Sequence, residues 1–378
     1  MKLGIDLIDQ HLDFFKGKRV GLITNTTGVN SQLQSTINIL KEKTNLVAMF
    51  APEHGVRGDF QAGERFTSYT DEETGVIVYS LYSENRRPSQ EMMDKLDALC
   101  IDIQEVGSRF YTYVYTMAYA MQACKEFNKE FVVFDRPNPI NGVDVEGNIL
   151  DLNYRSFIGY YPIVQRYGMT LGELALMFNE EDNIHCKLTV ISMKGWNRKM
   201  YFEDTHLPWV YPSPNLPTID STLVYNGTCI FEGTNISEGR GTAVPFQLIG
   251  APFIKPHELA MALNELHLDG VIFRPQYFTP TFSKHAGTLC AGVFIHVVDR
   301  HLFKPVKTGW TMLEVIRKMY AQEFKILPPF RENKPSMLEL NTGCDYIKEQ
   351  KYSLKELAFI LEQDTQKFKL TRKKYLIY

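Results

Sequence analysis

The sequence has no excess of charge of either sign: 41 Lys and Arg stand against 44 Asp and Glu, a net charge of −3. A basic field for nucleic acid is therefore missing. Long hydrophobic runs are missing too. The longest, such as Leu46–Ala51 and Phe131–Phe134, fall far short of the ~20 apolar residues that span a bilayer, so no membrane-spanning segment is expected. The start, Met1-Lys2-Leu3-Gly4-Ile5-Asp6, lacks the apolar stretch of a signal peptide. The chain thus reads as cytoplasmic as written, or as a cell-envelope or periplasmic protein from which a signal has been removed. Cys100, Cys124, Cys186, Cys229, Cys290 and Cys344 show no C-x-x-C spacing, and most sit in apolar runs. That pattern points to buried free thiols, not to zinc or a disulfide framework. The nine histidines are scattered without ligand spacing, so no metal is expected. There is no Walker motif, G-x-S-x-G elbow or H-E-x-x-H, the usual signals of P-loop, α/β-hydrolase and zincin chemistry. Gly239-x-Gly241 lacks the third glycine of a dinucleotide loop (Val244 stands there) and lies far from the first βα turn, so no cofactor is expected.

What is present is the composition of a soluble globular protein, 44% hydrophobic and 22% charged. At 378 residues the chain is long enough for two packed units. Aromatics reach 12%, with 20 Tyr and 24 Phe; flat amphipathic rings serve sugar sites and ordinary interfaces alike. Strand-like runs fall at Arg19–Thr24, Leu46–Ala51, Val76–Leu81, Ala98–Ile103 and Phe131–Phe134, with helical patterns over Ser31–Lys43, Ser89–Leu96 and Tyr111–Phe127. Near-continuous apolar strands separated by amphipathic helices are what a parallel sheet covered on both faces requires. The expected fold class is α/β: a doubly wound parallel-sheet domain over residues 1–155, and a smaller α+β domain over 156–378. In the second, a capping box at Thr170-Leu-Gly-Glu173 opens a helix through Asn179, followed by a strand near Lys187–Ser192. A Pro-rich loop (Pro208–Pro217) and a Gly-rich stretch (Gly227–Gly250) come next. Helix Pro256–Leu266, strands around Gly270–Arg274 and Leu289–Val298, helix Thr311–Glu323 and a C-terminal helix after the box Ser353…Glu356 complete it.

In open α/β sheets, ligands bind beyond the carboxyl ends of the strands. Here four such ends run into polar, ionisable groups: Thr24-Asn25-Thr26, Pro52-Glu53-His54-Gly55, Gln104-Glu105-Val106-Gly107-Ser108-Arg109 and Asp135-Arg136-Pro137-Asn138. The second half supplies a matching cluster, Phe231–Thr242, with Glu232, Asn235, Glu238 and Arg240. The alternative is ordinary loop polarity tied up in salt bridges. A cleft of carboxylates, asparagines, arginines and tyrosines suits glycoside hydrolysis, which needs an acid for the leaving oxygen and polar groups for hydroxyls. Glu53, after Pro52 and beside His54, is the candidate general acid, because partial burial there raises a carboxyl pKa. A salt bridge to Arg57 or Arg109 is the competing reading.

Six motifs in one order resemble a single family. They are Ala51-Pro-Glu-His-Gly-Val-Arg-Gly58, Asp102-Ile-Gln-Glu-Val-Gly-Ser-Arg-Phe-Tyr-Thr-Tyr113, Asp135-Arg-Pro-Asn-Pro-Ile-Asn-Gly142, Gly168-Met-Thr-Leu-Gly-Glu173, Pro212-Ser-Pro-Asn215 and Phe231–Thr242. The family is the exo-β-N-acetylmuramidases, glycoside hydrolase family 171, formerly domain of unknown function 1343. The resemblance runs from about residue 4 to the C-terminus. It implies a Rossmann-like domain joined to a smaller one, with the active site between them. It also implies release of terminal β-1,4-linked N-acetylmuramic acid from the non-reducing ends of peptidoglycan fragments, with Glu53 as the catalytic residue. Tyr167 stands where the family usually has histidine, and Glu105 where aspartate is common.

The expected site is then Glu53, His54 and Glu105 for catalysis. Substrate would be held by Asn25, Arg57, Arg109, Tyr111, Tyr113, Asp135, Asn138, Asn141, Arg166, Asn215, Glu232, Asn235, Glu238 and Arg240. Glu105, Glu232 and Glu238 are candidates for a second carboxylate, a role the substrate's own acetamido group can also fill. Arg109, Arg166 and Arg240 are candidates for the lactyl carboxylate, since a planar guanidinium forks onto a carboxylate. The rival from another class is a non-catalytic muropeptide- or sugar-binding protein with a two-domain cleft.

Overall fold

Apolar residues along the strands alternate between two separate cores, which is why the strand sequences look continuously hydrophobic. In β6 (Glu130–Phe134), Phe131 and Val133 enter one core while Val132 and Phe134 enter the other. Successive side chains of a strand point to opposite faces, so a sheet covered on both sides needs both sets apolar. The computed structural model describes residues 1–52, 55–58, 68–81 and 86–378. It shows a sheet of β1 (Arg19–Thr24), β2 (Asn45–Ala51), β3 (Ser68–Thr70), β4 (Ile77–Ser80), β5 (Ala98–Asp102), β6 and β7 (Lys187–Ile191), ordered β3-β4-β2-β1-β5-β6-β7. All neighbours are parallel except the edge pair β3–β4. Helix Thr36–Lys43 packs Ile37 and Leu40 on one face; helices Tyr113–Glu126 and Leu171–Glu181 cover the other.

The doubly wound domain is therefore as expected, with shifts that have local causes. The helix read from Ser31 begins at Thr36, because the Asn30 carboxamide accepts from the amides of Gln32 and Gln34 and holds a turn there. β7 and its preceding helix, read from sequence as part of the second unit, complete the large sheet: Lys187–Ile191 pairs with Glu130–Phe134 in register.

The smaller sheet holds β8 (Leu248–Ala251), β9 (Val271–Phe278) and β10 (Cys290–Val297), antiparallel in the order β8-β10-β9. Its inner face packs Ile249, Phe273, Val293 and Ile295 against helices Pro256–Asn264 and Pro305–Met319. The latter starts at Pro305, ahead of the expected Thr311, since proline suits a first helical turn. Helix Ile219–Thr228 crosses it through a pair of glycines: a Cβ on Gly227 would lie 1.9 Å from the Pro305 carbonyl oxygen, and one on Gly309 2.0 Å from that of Gly227.

Three ties join the halves. The C-terminal helix Leu354–Arg372 places Leu357 and Leu361 in the small-domain core and Phe368 in the large-domain core. The Glu146 carboxylate accepts from the amides of Val306 (3.2 Å) and Lys307 (2.7 Å), satisfying the first turn of helix Pro305–Met319. The wholly buried Arg109 donates to the carbonyls of Asn148 and Ile163, and to those of Asn341 and Thr342.

Arg109→Met would strand the carbonyls of Asn148, Asn341 and Thr342, while that of Ile163 keeps the Leu150 amide, and a buried unsatisfied acceptor costs ~1–3 kcal/mol. The variant should lose at least ~3 kcal/mol of unfolding free energy by urea denaturation; a loss under ~1 kcal/mol would contradict the tie.

Candidate functional site between the domains

β1 lies at the centre of the sheet, with β2 on one side and β5 on the other. The chain reverses its direction of winding between β1 and β5, and at such a switch point the loops diverge and leave a crevice. The Thr24 hydroxyl donates to the Asp102 carbonyl (2.8 Å), and the Gln104 amide donates to the Thr27 hydroxyl (2.9 Å), so these two strand ends are tied together. Asn25 follows directly. Its carboxamide oxygen accepts from the Thr27 amide and hydroxyl, while its nitrogen donates to the Tyr113 hydroxyl (2.8 Å). Tyr113 in turn donates to the Pro212 carbonyl (2.9 Å), and Tyr111 donates to the same oxygen (3.0 Å). The Pro-rich loop is thus fastened over the crevice by two tyrosines, and it divides the space in two.

On one side of the loop lies a cavity of about 270 Å³, bounded by Asn25, Thr26, Gly55, Arg57 and Gly58 and by residues 210–214. Arg57 grips Asp71 through Nε (2.6 Å) and reaches Glu73 (2.9 Å). The Arg57 bond, with help from Thr74, holds the Asp71 carboxyl down at about 2. Glu53 and His54, which precede Gly55, lie outside the described residues.

On the other side is a cavity of about 180 Å³ with walls from both domains: Phe110 and Tyr111 from one, Asn215, Tyr225, Glu232 and Arg240 from the other. Arg240 pairs with Glu232 (2.5 Å) and Glu238 (3.4 Å) and lies 5.0 Å from the Phe246 ring centre. Burial works against its charge, but the two glutamates outweigh that and raise its pKa. Phe246 takes φ +65°, a conformation costly for a bulky residue. It is held there by its amide donating to the Glu238 carbonyl (2.6 Å) and by the Thr228 hydroxyl on its own carbonyl. Lys284 meets Glu238 (2.7 Å) and the carbonyls of Phe231, Thr234 and Ile236, and so fixes the short 3-10 helix Cys229–Gly233 that presents Glu232.

The structure thus brings Asn25, Arg57, Tyr111, Tyr113, Asn215, Glu232 and Arg240 together around the crevice. Of the other expected residues, those among the described ones line neither cavity. Arg109 and Arg166 are wholly buried; Arg109 serves carbonyls, and Arg166 donates to the Ile140 carbonyl and meets Asp144 at 3.2 Å. Asp135 accepts from the Gly172 amide, Thr170 and Tyr378, and burial pushes it up to about 6. Asn138 and Asn141 close turns, accepting from the Ile140 amide and from the amides of Val143 and Asp144. Asn235 pairs with Lys325 and donates to the Glu323 carbonyl. Glu238 is buried against Lys284.

Glu105 is also buried, just beyond the end of β5. One carboxyl oxygen accepts from Tyr167 and from the Gly107 amide; the other has no hydrogen-bond partner among the described residues. Gly107 has φ +74°, and a Cβ there would meet Asn138 Oδ1 at 2.8 Å, so only glycine brings that amide to the carboxyl. Burial, partly offset by these two donors, raises Glu105 to about 8. Sequence reasoning missed Tyr225, Ser213 and Phe246; the proline run Pro208–Pro217 was the available signal for the loop, but Tyr225 sits in a helix with no polar strand end to mark it.

Fold and crevice define a two-domain α/β protein with a cavity between a doubly wound sheet and a smaller antiparallel one. The N-terminal family model of the exo-β-N-acetylmuramidase NamZ matches residues 20–220 and the C-terminal model residues 223–378, and the chain belongs to this family. It is 53% identical over 384 residues to the peptidoglycan β-N-acetylmuramidase NamZ of Bacillus subtilis (strain 168), covering 100% of this chain and 91% of that protein. Two crystal structures of DUF1343 family proteins from Bacteroides fragilis NCTC 9343 are similar over 100% of this chain and 98% of theirs. Their TM-scores are 0.91 at 39% identity and 0.76 at 32% identity.

Glu105 keeps its proton to about pH 8 when folded, whereas the unfolded carboxyl releases it near its ordinary ~4.3. Between those values the native state holds the extra proton, so this contribution is full below ~4.3 and lost as the pH rises through about 8. Glu105→Gln cannot ionise, and its melting temperature should fall less than that of the wild type between pH 5 and about 8.5. Parallel curves would show that Glu105 is not the buried acid responsible. Tyr113→Phe removes one of two bonds to Pro212 and leaves the Asn25 amide without that acceptor. It should cost ~1–3 kcal/mol in stability and raise KM more than it lowers kcat; an unchanged KM would mean that the loop does not depend on it.

Proposed function

We propose that this chain is an exo-acting glycoside hydrolase that releases terminal β-1,4-linked N-acetylmuramic acid from the non-reducing ends of peptidoglycan fragments. The observation that carries this reading is the 53% identity spanning the whole chain to a peptidoglycan β-N-acetylmuramidase, both domains included. The crevice suits it. Tyrosine rings and amides offer faces and hydrogen bonds to a sugar, and no phosphate loop competes.

Glu53 acts as the general acid, protonating the glycosidic oxygen as the bond to the anomeric carbon breaks. Gly55, two residues on, lines the larger cavity opposite the Pro-rich loop. Of the three glutamates considered for the second carboxylate, Glu232 lines a cavity and Glu105 and Glu238 line neither, so the role falls to Glu232 or to the substrate's acetamido group. Of the three arginines considered for the lactyl carboxylate, Arg240 lines the interdomain cavity with 29% of its side chain exposed, while the side chains of Arg109 and Arg166 are fully buried. Arg240 therefore reads that group.

A chromogenic β-muramoside tests the activity and separates an enzyme from a binding protein in one assay. Glu53→Gln should lower kcat by ~10²–10⁴-fold with substrate affinity kept, because the amide preserves size and hydrogen bonding but delivers no proton. A wild-type rate in that variant would remove Glu53 from the role. Arg240→Lys keeps the charge and loses the fork, and should erode the preference for muramic acid over N-acetylglucosamine by about tenfold. Equal rates of the wild type on the two glycosides would sink the assignment.

A further inference from the structure

Helix Leu171–Glu181 starts beside Asp135 at the carboxyl end of β6 and leads into the parallel strand β7, so its C-terminus lies at the amino edge of the sheet, opposite the crevice. There it meets the C-terminal helix Leu354–Arg372, and a cavity of about 240 Å³ opens between them. That is room for a small organic molecule and not merely for isolated waters. The walls are apolar: Ile149, Ile163, Met177 and Phe368, with the Tyr161 ring.

Asp182 stands in this wall. Its carboxyl is half-buried, and among the described residues it accepts no hydrogen bond and forms no ion pair. The neighbouring Glu181 is engaged instead, by the Tyr375 hydroxyl (2.6 Å) and by Lys374 (3.3 Å). Burial raises Asp182 to about 7, against the pull of Arg155 and with a push from Glu181. Lys367 lines the same cavity and forms no ion pair with either acid among the described residues. A carboxylate beside apolar wall with no hydrogen bond or close ion pair is costly, and an incoming cation relieves that cost.

We propose that this cavity is a second binding site, for a small organic cation: a primary ammonium on a short aliphatic body, its nitrogen paired with Asp182 and its carbons against Ile163, Met177 and Phe368. The site is independent of the hydrolase reading. Because the C-terminal helix has Phe368 in one core and Leu357 and Leu361 in the other, a ligand under it stabilises the strap between the domains.

The test uses the full chain with n-pentylammonium, pentanoate and 1-pentanol as probes, followed by calorimetry and thermal unfolding at about pH 8, where Asp182 is ionised. Pentylammonium should bind and raise the melting temperature, and Asp182→Asn should weaken that binding by about tenfold or more, as expected for loss of a charge-assisted bond. Hydrolytic activity and circular dichroism like those of the wild type would show that the variant is folded. Lowering the pH to about 5.5 protonates Asp182 and should weaken binding in the wild type but not in Asp182→Asn. The other charged groups facing the site are Arg155, Glu181 and Lys367, and Glu181 titrates below its ordinary value. Absence of binding, equal binding of pentanol, preference for pentanoate, or unchanged affinity in Asp182→Asn would each overturn the proposal.

Discussion

The buried guanidinium of Arg109 donates to carbonyls from both domains, and the position of the interdomain crevice depends on those bonds. Two of the acceptors, Asn341 and Thr342, end the helix Met337–Thr342, where carbonyls lack helical partners and a cation is favoured. The Asn341 side chain donates to the Cys229 carbonyl, at the start of the 3-10 helix that carries Glu232. A continuous set of bonds therefore runs from the large domain through Arg109 to the acid that pairs with Arg240. Arg109, Asn341 and Thr342 are wholly buried, so the geometry of the small-domain wall is inherited from a residue that lines neither cavity.

Charge in the crevice is arranged in pairs. Arg57 is met by Asp71 and Glu73, and Arg240 by Glu232 and Glu238. Pairing keeps a guanidinium in place in a half-buried setting without a long-range field, in keeping with the near-neutral chain. On the reading proposed for Arg240, a ligand carboxylate would meet a guanidinium plane already fixed by Glu232 and Glu238, and recognition would rest on fork geometry more than on net attraction.

The large sheet was legible because both its faces are buried: the five apolar runs read from sequence are all strands, and the capping boxes at Thr170 and Ser353 are present as read. The place of β7 was not legible, since pairing with a strand more than fifty residues earlier leaves no local mark. Strand-end polarity located the crevice but did not sort its residues. Asp135, Asn138 and Asn141 have the types a sugar site uses, and the same types close turns by accepting backbone amides. Arginine is equally ambiguous. Arg109 and Arg240 follow similar glycine-containing motifs, and only burial separates a carbonyl clamp from a residue lining the cavity.

Glu105 and Tyr167, the two positions where the resemblance led us to expect aspartate and histidine, are in contact. A buried aspartate and histidine can share a proton and carry opposite charges. A glutamate that holds its proton to about pH 8 beside a tyrosine, whose pKa burial raises further, makes a neutral pair. In so buried a spot, a neutral pair avoids the desolvation cost of two ions. Changing either residue alone would set a charge, or a donor without an acceptor, in the same closed space. Glu105 and Tyr167 thus depend on each other, and the Gly107 amide holds the carboxyl in place beside the tyrosine.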